Sequence, residues 1–212
     1  MATAAEVTAV LEGADRILVQ QVFRPIGNEY RISVPAAGST EEGTPILFVK
    51  QKKLAIKEDI RFRLHPEQDE AAFMIKARSV MEIRGRYNVT DDAGQPLGSL
   101  EKSFAKSLLR SHWVVRDPQG AEVLSAEEAS MAIALARRFI GFVPVLNNIA
   151  FVMQFVPFNF VLSRGETRVG GYHRVLGKLR DRYVLELTPE AGSVDRRLLV
   201  AFAVALDALQ DR

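Results

Sequence analysis

Between Glu29 and about Val123, apolar and polar side chains alternate in short runs, among them Tyr30-Ile32-Val34, Leu47-Val49, Ile60-Phe62-Leu64, Phe73-Ile75, Tyr87-Val89 and Trp113-Val115. A period of two sends successive side chains to opposite faces, so each run predicts a strand with one buried face. Turn-forming stretches separate the runs at Pro35 to Gly43, His65 to Glu70, Asp91 to Gly94 and Asp117 to Gly120. That spacing belongs to consecutive hairpins, and this half of the chain reads as an antiparallel meander.

The meander repeats itself at an offset of about 26 residues. Leu47 to Leu54 aligns with Phe73 to Val80, apolar under apolar and base under base. Tyr87 to Gly94 aligns with Trp113 to Gly120, keeping Asp at the first turn position and Gly at the fourth. An Asp side chain caps such a turn, and Gly supplies the positive φ that returns the chain into the next strand. Asp91 and Asp92 are therefore read as turn residues rather than metal ligands.

Beyond Val123 the period changes. Ala126 to Arg138 has acids at its start, two arginines at its end and helix formers between, and predicts a helix. Residues 139–163 carry no charged side chain. A strand pair follows, Phe158 to Ser163 and Thr167 to Val175 around the Arg164-Gly165-Glu166 turn, with Gly170-Gly171 placed at a bulge. Another strand is expected at Tyr183 to Leu187, then a helix over 194–210. The run Leu198 to Leu206 is apolar at every position, so this helix has no solvent face and must be surrounded by protein. Residues 1–15 form a helical or flexible lead without the basic and apolar regions of a signal peptide, which points to the cytosol.

Many short antiparallel strands and one all-round apolar helix have an economical solution, a closed barrel with that helix threaded through it. Ile46 to Ile60, Tyr87 to Leu100, Asp181 to Glu186 and Asp195 to Leu209, in that order, resemble the tubby C-terminal-like superfamily, most of all its LURP-one-related and phospholipid scramblase-like branch. The resemblance covers about residues 16 to 210. It implies a mainly β (α+β) fold: a closed antiparallel β-barrel of about twelve strands around a buried C-terminal hydrophobic helix, with an extra helical apolar insertion at 139–157. It also implies a single barrel domain over 16–212 and a role at membranes. Scramblases carry a cysteine-rich segment and an acidic calcium-binding stretch. This chain has neither, so calcium-driven scrambling is not carried over.

Composition narrows the chemistry. The absence of cysteine removes thiol nucleophiles, disulfides and Cys-based metal sites. His65, His112 and His173 stand singly, no Gly-rich loop precedes a helix, and no catalytic set is visible, so the chain reads as a non-enzyme without a cofactor or a catalytic metal. A formal charge of +2 lacks the excess of a nucleic-acid binder. Two stretches are locally basic, Lys50 to Arg86 and Arg164 to Arg182.

The uncharged segment is long enough to span a bilayer, but Pro144, Pro157, Asn147, Asn148 and Gln154 spoil a crossing helix. Two readings fit better, burial within the protein's own core and an interfacial element flanked by bases. The expected contact residues are Arg137, Arg138, Phe139, Phe142, Phe151, Phe155, Arg164 and Arg168. The function expected is a binding module for a membrane surface or anionic lipid, peripheral at the inner face of the membrane. The alternative is a protein-interaction module that uses the same insertion as a homodimer or partner interface, with no lipid role.

Overall fold

Alternating side chains bury one face of every strand, and closing the sheet on itself leaves no strand edge unpaired. The computed structural model describes residues 2–24, 27–36, 39, 41, 43–52, 59–76, 85–103, 111–129, 159–175, 182–192 and 194–208. Among them, twelve antiparallel strands form one closed barrel: β1 (Arg16–Arg24), β2 (Gly27–Ser33), β3 (Pro45–Lys52), β4 (Ile60–Arg63), β5 (Ala71–Ile75), β6 (Arg86–Asp91), β7 (Pro96–Lys102), β8 (His112–Arg116), β9 (Glu122–Glu128), β10 (Phe160–Arg164), β11 (Thr167–Val175) and β12 (Arg182–Leu187). Each strand pairs with its neighbours in sequence, and β12 closes on β1 with Leu18 opposite Val184.

The C-terminal helix α2 (Arg196–Ala208) runs inside. Leu198 to Leu206 are all buried, which answers the apolar run that has no solvent face. Phe202 meets the rings of Trp113 and Phe160 edge-on, each with centroids 6.2 Å apart. The Tyr172 hydroxyl donates to the Ala203 carbonyl at 3.1 Å. Asp195 caps α2 by accepting from the Arg197 amide at 2.9 Å.

The N-terminal lead is helical, α1 (Ala4–Glu12), started by a reciprocal Thr3 and Glu6 capping box. It buries Val7 and Leu11 and packs against α2 and β5. The two repeated turns have the expected chemistry: Asp91 Oδ1 accepts from the Gln95 amide at 2.7 Å, and Asp117 Oδ1 from the Ala121 amide at 2.8 Å. The bulge expected around Gly170-Gly171 falls where the β10–β11 register shifts, between the Leu162–Gly170 and Ser163–Arg168 pairs.

One element departs from the sequence reading. Ala126, Glu127 and Glu128 belong to β9, not to a helix; Leu124, Ala126 and Glu128 are buried in alternation and Ala126 lies opposite Trp113. Pairing with β8 and β10 overrides the helix preference of Ala and Glu. Residues 130–138 of that expected helix, and the insertion 139–157, lie outside the described residues.

Up-and-down connectivity gives the barrel two unlike ends. At one end lie α1, the start of α2 and the turns at 92–95, 117–121 and 165–166. The β9–β10 connection that contains the uncharged segment belongs to the other end, together with the end of α2.

Candidate functional site

Of the eight expected contact residues, Arg137, Arg138, Phe139, Phe142, Phe151 and Phe155 lie outside the described residues. The base of their segment is well defined. Glu128 pairs with Phe160, and the Ala129 amide donates to the Asn159 carbonyl at 2.9 Å. Strands β9 and β10 are thus direct neighbours in the barrel.

Arg164 and Arg168 sit elsewhere. Arg164 ends β10, so the length of that strand, about 13 Å, separates it from the segment's base. Its Nη2 donates to the Ala191 carbonyl at 2.6 Å, tying β10 to the Pro189–Ala191 turn that leads into α2. Arg168 Nε donates to the Gly170 carbonyl at 3.4 Å. Neither pairs with a carboxylate among the described residues, and both lie at the α1 end.

In the basic stretch from Lys50 to Arg86, four of the described bases sit beside carboxylates. Lys50 faces Glu67 (3.7 Å), Arg63 faces Asp69 (2.9 Å) and Lys76 faces Asp59 (3.3 Å). Arg86 and Arg116 share Glu101 at 3.0 and 3.2 Å. Partial burial works to raise the Glu101 pKa, but the hydrogen bonds from both guanidiniums outweigh it and hold the carboxyl below its ordinary value.

The histidines assemble no catalytic group among the described residues. His65 Nδ1 accepts from the Glu67 amide at 3.2 Å, and buried His112 stands 3.5 Å from Glu127. No cluster of His, Asp and Glu among the described residues could hold a metal ion. Among the same residues, no helix is long and apolar enough to cross a membrane.

Sequence reasoning passed over the outer wall of β12, β1 and β2. Ile17 and Val19 face the core, which turns Leu18 and Gln20 outward, yet Leu18 is fully buried and Gln20 is 1% exposed. Two described residues of the β2–β3 connection contact this wall. Arg16 Nη1 donates to the Ser39 carbonyl at 3.2 Å, and Arg182 Nη1 pairs with Glu41 Oε2 at 3.1 Å. The one signal in the sequence was the unbroken Ile17-Leu18-Val19 run, apolar on both faces of its strand.

A similar solved structure is the X-ray structure of a protein from Arabidopsis thaliana, 13% identical, with 93% of this chain and 94% of that one covered and a TM-score of 0.35. No curated protein matches significantly. The model of the LURP-one-related family matches residues 46–207, from β3 almost to the end of α2, and this chain therefore belongs to the LURP-one-related family.

Proposed function

We propose that this barrel is a non-enzymatic module that attaches to an anionic membrane surface through the β9–β10 connection. One observation carries the reading: an uncharged segment is inserted between two strands that pair directly with each other, so sheet closure does not call for it. A lumen occupied by α2 is consistent with a binding role rather than catalysis inside the barrel. Phe139, Phe142, Phe151 and Phe155 supply apolar area to the lipid interface, while Arg137 and Arg138 meet the headgroups. Arg164 and Arg168, a strand's length away, are not needed for this contact. The prolines and amides of the segment favour lying in one leaflet over crossing both.

Vesicle co-sedimentation tests the proposal. The full chain should pellet with phosphatidylcholine vesicles that contain phosphatidylserine and much less with phosphatidylcholine alone, and added salt should weaken binding. Phe142→Asp with Phe151→Asp, or Arg137→Glu with Arg138→Glu, should abolish it, whereas Arg168→Glu should not. A folded wild-type chain that ignores anionic vesicles and self-associates in sedimentation velocity would overturn the membrane reading and establish the segment as an interface between copies.

A further inference from the structure

The first residue of α2 is a buried arginine. Arg196 is 8% exposed; its Nη1 donates to the Val194 carbonyl at 3.3 Å, and its Nε has no hydrogen-bond partner. No carboxylate among the described residues is ion-paired with it, and the adjacent Asp195 holds Arg197 instead, at 2.7 Å. Burial pushes the Arg196 pKa down, and the charges of Asp15 and Glu12, both exposed, only partly restore it. A guanidinium taken out of water loses more than exposed carboxylates across a gap return, and an orphaned Nε adds to the cost.

This arginine sits at the end of α2 where α1 closes the barrel. Helix α1 packs against α2 and β5, and its buried Val7 and Leu11 join the core cluster that holds Leu198 and Leu199. It stands outside the sheet. Gly13 and Ala14 lead from it to Asp15, whose carbonyl accepts from the Leu187 amide at 2.8 Å, so the chain is anchored to β12 before the helix is reached. The pairing of β1 starts only at Arg16, and turning α1 about Gly13 breaks no strand-to-strand hydrogen bond. Nine residues with two buried side chains make a short helix that depends on its packing to stay folded.

We infer that α1 is a lid on this mouth of the barrel, poised to open, with Val7 and Leu11 holding it shut and the buried guanidinium of Arg196 working against them. Opening hydrates Arg196 and uncovers the start of α2, which makes a surface available at the end opposite to the uncharged segment. The lid needs neither the β9–β10 connection nor a membrane, so it stands apart from the attachment proposed above.

Native-state hydrogen exchange of the full chain, read by NMR, tests it. In wild type the amides of Val7 and Gly13, bonded to the Thr3 and Ala9 carbonyls, should exchange at least about tenfold faster than those of β1 and β12, through an opening that leaves the sheet intact. Arg196→Met, apolar and of similar length, should slow α1 more than about threefold and leave β1 and β12 unchanged, since removing a buried charge favours the closed lid. Leu11→Ala should speed it, because less apolar surface then holds the lid shut. Should Arg196→Met fail to fold, Arg196→Gln makes the same test with a shorter neutral side chain. The sign separates the lid from a tethering role: an arginine that tied α1 down would give faster exchange when removed. Wild-type α1 amides less than about tenfold faster than the sheet, or an Arg196 variant in which α1 exchange slows by less than about threefold or accelerates, overturns the inference.

Discussion

Truncating Phe202 to alanine tests the threaded helix most directly. The side chain is fully buried in the middle of α2, with edge-on contacts to Trp113 and Phe160 on two walls of the barrel. Removing a buried phenylalanine costs about 3–5 kcal/mol, the larger values applying where surroundings cannot collapse into the void. Here the surrounding strands are tied on both sides into a closed hydrogen-bonded sheet, so about 4–5 kcal/mol is expected. For a domain of this size each kcal/mol lowers Tm by about 2–4 °C, which gives a fall of about 8–20 °C. The protein should still fold, because typical stabilities are about 5–15 kcal/mol. Trp113 is the single tryptophan, 1% exposed and in contact with the deleted ring, so its fluorescence reports the same event locally. Thermal and urea unfolding followed by circular dichroism and by Trp113 emission should shift together, while Val10→Ala on the exposed face of α1 moves neither. A Tm change below about 2 °C with unaltered Trp113 emission would refute the placement of α2, since no fully packed phenylalanine is that cheap to remove.

Two further outcomes follow from local geometry. Gly98 has φ +145° on β7, and a Cβ there would lie 2.2 Å from the Arg116 carbonyl oxygen and 3.0 Å from Leu198 Cδ1, so Gly98→Ala should lower Tm sharply or prevent folding, as read by circular dichroism of the purified protein. Glu101 has a folded pKa below its unfolded value, so its pairs with Arg86 and Arg116 stabilise the fold above the ordinary glutamate range, about pH 4.3, and that contribution disappears as pH falls through the folded value. The Tm difference between wild type and Glu101→Gln should therefore be largest near neutrality and vanish in acid. A difference that grows on acidification would contradict the assignment.

The parts of the fold that were legible in the sequence are those where local chemistry and tertiary demand agree. Period-two runs became strands, the repeated Asp-x-x-Gly turns closed through Asp91 and Asp117 as expected, and the uninterrupted Leu198 to Leu206 run could only be a helix inside something. Where the two disagree, the sequence misleads. Ala126 to Glu128 favours a helix by propensity, but the space opposite Trp113 and the free edge of β8 are tertiary facts that no local pattern carries. Ile17-Leu18-Val19 lacks alternation because both faces of β1 are buried, one by the core and the other on the covered wall. A charge count also carries no pairing: Arg63, Lys76 and Arg86 stand against Asp69, Asp59 and Glu101, which only the folded chain brings together. The grouping of Arg164 with the uncharged segment followed from adjacency in sequence, whereas a strand carries its two ends to opposite rims.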